Sequence, residues 1–230
     1  MPTNIPIKPA VIVFDVIETL FPLEPLRAKL EGAGLPGHAL ETWFAQLLRN
    51  AFALNATDSY SAFRDIAVDA LQAQASAHGQ TLTPDQLSGI IGTFAQLDAY
   101  DDVAPTMARL AESGIRLVAL TNGSAEVTKK LLERAKVSHF IEHVISVDEV
   151  QLWKPRKEVY LHCAQRCGVE PSAMMLIAAH SWDVHGANKA GLRTAFLRRQ
   201  GQSFAQVMQQ PELYADDLHH LIRQILPQQG

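Results

Sequence analysis

From residue 104 onward the chain repeats one unit: a stretch with helical spacing, a turn, then a short run of branched apolar residues. The runs fall at 116–121, 143–146, 174–178 and 194–197, with helical stretches between them ending near Ser113, Ala135, Cys167 and Ala190. Short continuous apolar runs read as strands buried on both faces, and strands alternating with helices imply a parallel sheet covered on both sides. A further such run over 11–15 belongs with them, yet 22–100 stands between, with almost no strand signal. There the apolar residues recur at helical spacing. Leu40, Trp43, Phe44, Leu47, Leu48 and Ala51 form one stripe, helices are predicted over 61–78 and 84–97, Thr83 before Pro84 reads as a helix start, and Gly79 as a stop. The expected fold is therefore α/β, a doubly wound parallel sheet with an inserted helical subdomain: core at 1–21 and 101–230, helical cap at 22–100.

A chain of 230 residues with 47% hydrophobic content is long enough for such a core and one insertion. Its net charge of -4, with no block of Lys or Arg, offers no electrostatic footprint for nucleic acid. The segment Met1-Pro-Thr-Asn-Ile-Pro-Ile-Lys-Pro9 lacks the basic start and apolar centre of a signal peptide, and no apolar run approaches a membrane span. A cytoplasmic protein with a small-molecule partner is expected. Cys163 and Cys167 lie one helical turn apart and read as structural, since two thiols do not complete a zinc site. The Gln-rich end, 224–230, reads as a frayed tail.

Asp15 falls at the carboxyl end of the first strand, where open α/β sheets place their chemistry, and a carboxylate there can be a nucleophile. Thr19 follows four residues later. Three more chemistry-bearing segments follow later strands. Leu120-Thr-Asn-Gly-Ser124 offers a hydroxyl, an amide and a turn whose backbone amides can face an anion. Trp153-Lys-Pro-Arg-Lys-Glu-Val-Tyr160 presents Lys154, and Ala178-Ala-His-Ser-Trp-Asp-Val-His-Gly-Ala187 presents His180 and Asp183. Singly these read as an Asn-Gly turn, a surface loop and a structural histidine. Four in order, from 15 to 187, do not.

Together the segments resemble the four motifs of the haloacid dehalogenase superfamily, and Trp182-Asp183 followed by Gly186-Ala187 resembles the L-2-haloacid dehalogenase branch. The resemblance implies that Asp15 attacks the halogen-bearing carbon of a short 2-haloacid and forms a covalent ester. Thr19, Thr121, Asn122 and backbone amides in the turn of Val16 and Ile17 would hold the substrate carboxylate. Lys154 would offset the accumulated charge, Tyr160 and Trp182 would belong to the site, and Asp183 would hold Lys154 and help order water. No cofactor and no metal is implied, although His180, Asp183 and His185 cluster within one loop; magnesium prefers oxygen ligands and phosphate substrates. A homodimer is left open.

Three departures bear on the reaction. Superfamily phosphatases carry an acid two residues after the nucleophile to protonate the leaving alkoxide; here that residue is Ile17, and a departing halide needs no proton. Glu18, next to it, is out of register. Where the branch has an arginine to receive the halide, this chain has Phe44 after Trp43. Arg49 lies about 140° around the helix from Phe44 and does not simply replace it. His180 stands where the family has an asparagine, and unlike an amide it can take a proton from water. The alternatives are a magnesium-dependent phosphatase, a phosphonatase, for which Lys29 is the only lysine in the cap, and a non-catalytic binding protein.

Overall fold

The computed structural model describes residues 8–226. The start of the amino-terminal segment read for a leader, and the end of the Gln-rich tail, lie outside the described residues. Six strands form one sheet in the order β3-β2-β1-β4-β5-β6, every pairing parallel. They are β1 (Val11–Phe14), β2 (Arg116–Thr121), β3 (Ile141–Ser146), β4 (Met174–Ala178), β5 (Arg193–Leu197) and β6 (Leu213–Ala215). The central strand β1 is buried at all four residues, as a strand covered on both faces must be.

Four helices, α1 (Pro25–Gly32), α2 (Ala39–Ala56), α3 (Phe63–Ala77) and α4 (Pro84–Gly92), lie between β1 and α5 (Val103–Glu112). The other helices are α6 (Ala125–Arg134), α7 (Lys157–Cys167), α8 (Ser181–Lys189) and α9 (Leu218–Ile225). Alternation along β1 sorts the two layers: Ile12 and Phe14 join an apolar cluster with α5, α6, α9 and the helical segment, while Val11 and Val13 pack against α7 and α8. One cluster thus runs unbroken from the sheet into α1 to α4.

The stripe on α2 divides in two. Leu40, Trp43, Leu47 and Ala51 are buried in the cluster, and burying a side chain of that size contributes about 1.5–3 kcal/mol. Phe44 and Leu48, one step around, are only half-buried and face a cleft above β1. The helix predicted over 84–97 stops at Gly92 and tightens into a 3-10 turn over Thr93–Gln96. Its expected start holds: Thr83 and Gln86 form a reciprocal capping box. Strand β3 begins two residues before 143, at Ile141, with a register shift opposite Leu117/Val118. Strand β6 and helix α9 were not anticipated, because three residues with an exposed tyrosine between carry no strand pattern.

The two connections to the helical segment lie side by side. The Tyr100 amide donates to the Leu20 carbonyl at 3.0 Å. Buried Arg199 joins both: its guanidinium pairs with the two oxygens of Asp102 at 2.8 Å each, its Nε donates to the Thr19 carbonyl at 3.1 Å, and it stacks over Tyr100.

Candidate active site

The carboxyl ends of β1, β2 and β4 meet the loop before α7 at one buried cluster of charge. Asp15 leaves β1 directly; its amide still donates to Ile177 of β4 at 3.0 Å, which fixes where the side chain emerges. Lys154, fully buried, donates to Asp15 Oδ1 at 2.8 Å, to Asp183 Oδ2 at 2.7 Å and to the Leu120 carbonyl at 3.0 Å. Three acceptors satisfy the three protons of an ammonium. Burial alone would push the lysine down, but the two carboxylates outweigh it and hold it above its ordinary range.

The other oxygen of Asp15 has its own partners. Thr19 Oγ1 donates to Oδ2 at 2.7 Å while accepting from the Ala179 amide at 2.9 Å, so the hydroxyl is fixed at both ends. His180 Nδ1 lies 3.2 Å from the same oxygen, and its Nε2 lies 3.0 Å from Glu18 Oε2. Burial works to keep Asp15 protonated, but Lys154 and His180 prevail and hold it well below the usual carboxylate range. It is an anion at neutral pH. Burial would lower His180; hydrogen bonds and charge from Asp15 and Glu18 instead raise it to about 9. With Asp15 ionised, His180 is an imidazolium.

Behind the lysine, Tyr160 donates to Asp183 Oδ1 at 2.6 Å, and burial next to that carboxylate pushes the phenol well above its ordinary value. Asp183 itself is pushed up by burial, against the pull of Lys154. The close approach of α8 to the Lys154 loop, whose Lys154–Pro155 peptide is cis, depends on Gly186. A Cβ there would sit 2.5 Å from Pro155 Cβ and 2.7 Å from Tyr160 Oη. Any side chain would force α8 off the loop.

The cleft over Asp15 is narrow, with a volume of ≈ 20 Å3. Its walls are Phe44 and Leu48 of α2, Phe63 of α3, Ile17, Trp182, His180 and the Thr121–Gly123 turn. Trp182 stacks on the His180 ring at 5.0 Å, and Phe44 stands 6.3 Å from it. Asn122 Oδ1 accepts from the Lys154 amide at 3.1 Å, and Thr121 Oγ1 accepts from the Gly123 amide at 2.9 Å. The amides of Val16 and Ile17 donate to no protein acceptor among the described residues.

Of the residues expected at the site, Asp15, Thr19, Lys154, Tyr160, His180 and Asp183 form one connected network. Ile17, Phe44, Thr121, Asn122 and Trp182 line its cleft, while Val16 is buried beneath. Arg49 is not brought in; it is exposed and reaches Asn50 Oδ1 at 3.3 Å. His185 likewise turns away, accepting from the Gln209 amide at 3.0 Å. Among the described residues no group of three His, Cys, Asp or Glu could hold a metal ion.

Two contributors escaped the sequence reading. Glu18, out of register as an acid for a leaving group, sits at φ 62°, and that left-handed turn brings its carboxylate to His180 instead. Asn55 binds the backbone of Trp153 twice, through Oδ1 at 2.9 Å and Nδ2 at 2.7 Å, tying α2 to the residue before Lys154. The signal for Asn55 was available: it lies one turn past Ala51 on the apolar stripe, where a buried amide must find partners.

The family model described as haloacid dehalogenase-like hydrolase matches residues 9–191. The (S)-2-haloacid dehalogenase of Pseudomonas sp. (strain YL) is 26% identical over 214 residues, covering 92% of each chain. The glyceraldehyde 3-phosphate phosphatase of Methanopyrus kandleri is 36% identical, but over 46% of each chain. Among solved structures, the L-2-haloacid dehalogenase of Xanthobacter autotrophicus with chloropropionic acid covalently bound superposes with a TM-score of 0.88 at 20% identity, covering 95% of this chain and 98% of that one. With the family model spanning most of the sequence and the motif residues converging on Asp15, the chain belongs to the haloacid dehalogenase-like hydrolases.

Proposed function

We propose that the protein hydrolyses 2-haloacids to 2-hydroxy acids through an ester on Asp15. The observation that carries this reading is a buried, ionised Asp15 facing an apolar cleft in which Ile17 occupies the place a proton donor would need. Glu18, the acid next to it in sequence, is engaged by His180. A halide leaves without a proton; an alkoxide does not.

The steps follow from the geometry. The substrate carboxylate lies against the free amides of Val16 and Ile17, the Thr121 hydroxyl and the Asn122 amide nitrogen, opposite Asp15. An Asp15 oxygen attacks the α-carbon, the carbon-halogen bond breaks, and its electron pair leaves with the halide. Lys154 and Thr19 hold the nucleophile in one orientation, which is where most of the barrier lowering by positioning arises. The walls of Phe44, Leu48, Phe63 and Trp182 keep bulk water from solvating it. The Xanthobacter enzyme caught with chloropropionic acid covalently bound supports such an intermediate.

Esterification also changes His180. The ester carries no charge, so the imidazolium loses one of the two anions that hold it at about 9 and its affinity for the proton falls. It then gives up that proton to solvent, the proton that balances the released halide, and, steadied by Glu18, accepts one from the water that attacks the Asp15 carbonyl carbon. Breaking the bond between the Asp15 carbonyl carbon and the ester oxygen frees the hydroxy acid, whose alkoxide takes its proton from His180; the product carries one oxygen of Asp15, and the remaining proton of the attacking water returns His180 to its charged form. Asp183 keeps Lys154 in place throughout, and Arg49 takes no part.

We place the enzyme in the cytoplasm, acting alone or as a homodimer on a small acid; no helix among the described residues is long and apolar enough to cross a membrane. Halide release from chloroacetate and (S)-2-chloropropionate, insensitive to chelator, is the expected result. Phosphate-ester cleavage that needs magnesium, without halide release, would replace this reading. His180→Asn should release one equivalent of halide and stall, adding the acyl mass to the intact protein by mass spectrometry. Normal turnover without that added mass would remove His180 as the base.

A further inference from the structure

A second cavity adjoins the cleft, with a volume of ≈ 360 Å3 between α4, its trailing 3-10 turn and α6. It shares four walls with the catalytic cleft: Ile17, Phe63, Thr121 and Gly123. Beyond them its lining is mostly apolar, with Ile91, Phe94 and Leu131 buried at its base, and charged residues such as Glu126 and Asp148 exposed at its rim. Gly123 brings no side chain to that shared lining, which leaves Ile17, Phe63 and Thr121.

We propose that this cavity takes the hydrocarbon tail of the substrate, so that the enzyme acts on 2-haloacids with extended alkyl chains. The inference rests on the dehalogenase reading and deepens it. Volumes decide the point. The cleft has room for about one water, ≈ 20 Å3, so whatever part of the substrate extends beyond the reacting carbon needs other space, and the adjoining cavity of ≈ 360 Å3 lies within the range of ligand sites and is large enough for a chain of several methylenes. An apolar surface left wet beside a reaction centre is a cost that a tail would relieve, and the acid end stays fixed by the same amides and hydroxyl.

The test is a chain-length series from 2-bromopropionate to 2-bromooctanoate, read as kcat/KM for bromide release, beside equilibrium binding of butanoate to octanoate by calorimetry. Each methylene entering the cavity should raise kcat/KM and affinity by about two- to fourfold. Ala95→Phe, which fills the cavity from the 3-10 turn and touches nothing in the catalytic network, should leave bromoacetate turnover unchanged and flatten both series. A flat series in the parent enzyme, or a rise that survives in Ala95→Phe, overturns the assignment. Should no halide be released from any acid, the dehalogenase reading fails, and the calorimetric series still decides whether the cavity holds a tail.

Discussion

Lys154 occupies the most demanding position in the molecule, an ammonium with no solvent and two carboxylates against it. Removing one partner of such a group costs more than the group contributes, because what remains is charge without compensation. Lys154→Met would leave Asp15 and Asp183 facing each other in a buried site. The loss in unfolding free energy at neutral pH should be about 3–5 kcal/mol. Part of it should return on acidification, since one acid, raised by its neighbour, takes up a proton that the unfolded chain does not hold. Urea titrations at neutral and mildly acidic pH measure both effects. A variant as stable as the parent at neutral pH would mean that the two acids do not repel as drawn.

At the level of elements, α8 is the piece whose placement the catalytic network needs most. Its first turn carries Asp183, and its Gly186 lets it lie on the Pro155 loop. Gly186→Ala should therefore cost about 1–3 kcal/mol by overpacking and should lower kcat more than it raises KM, because Asp183 moves with the helix. Thermal unfolding and steady-state kinetics check the two halves. Most elements were legible in the sequence because burial leaves a periodic trace: β1, β2 and β4 are continuous apolar runs, and α2 shows its stripe. The motif residues were legible for a related reason, since strand ends place them. What stayed hidden has no local trace. Whether Phe44 and Leu48 pack into the core or face a cleft depends on where α2 sits over the sheet, and the Glu18 contact depends on one left-handed residue that spacing does not encode.

For the whole molecule, the His180 pair is a pH-dependent contribution to stability. Its pKa rises from 6.5 to about 9 on folding, so the stabilisation is complete below 6.5 and is lost as the pH climbs through about 9. The parent should thus lose stability over that window, on the order of 3 kcal/mol from this group. In His180→Asn that part of the slope should vanish, as denaturant titrations from neutral pH to 9.5 would show; equal slopes would place the histidine unpaired. The register of β1 has a consequence of another kind. Val11 pairs with Arg116 on one side and with Met174 on the other, so the first strand made is among the last to be enclosed. During synthesis Val11–Phe14 stays unpaired until β2, near the middle of the chain, has left the ribosome, and open along its other edge until β4 follows. Native contacts so distant in sequence slow folding, and a newly made chain of this protein leans on chaperones more than its final stability would indicate.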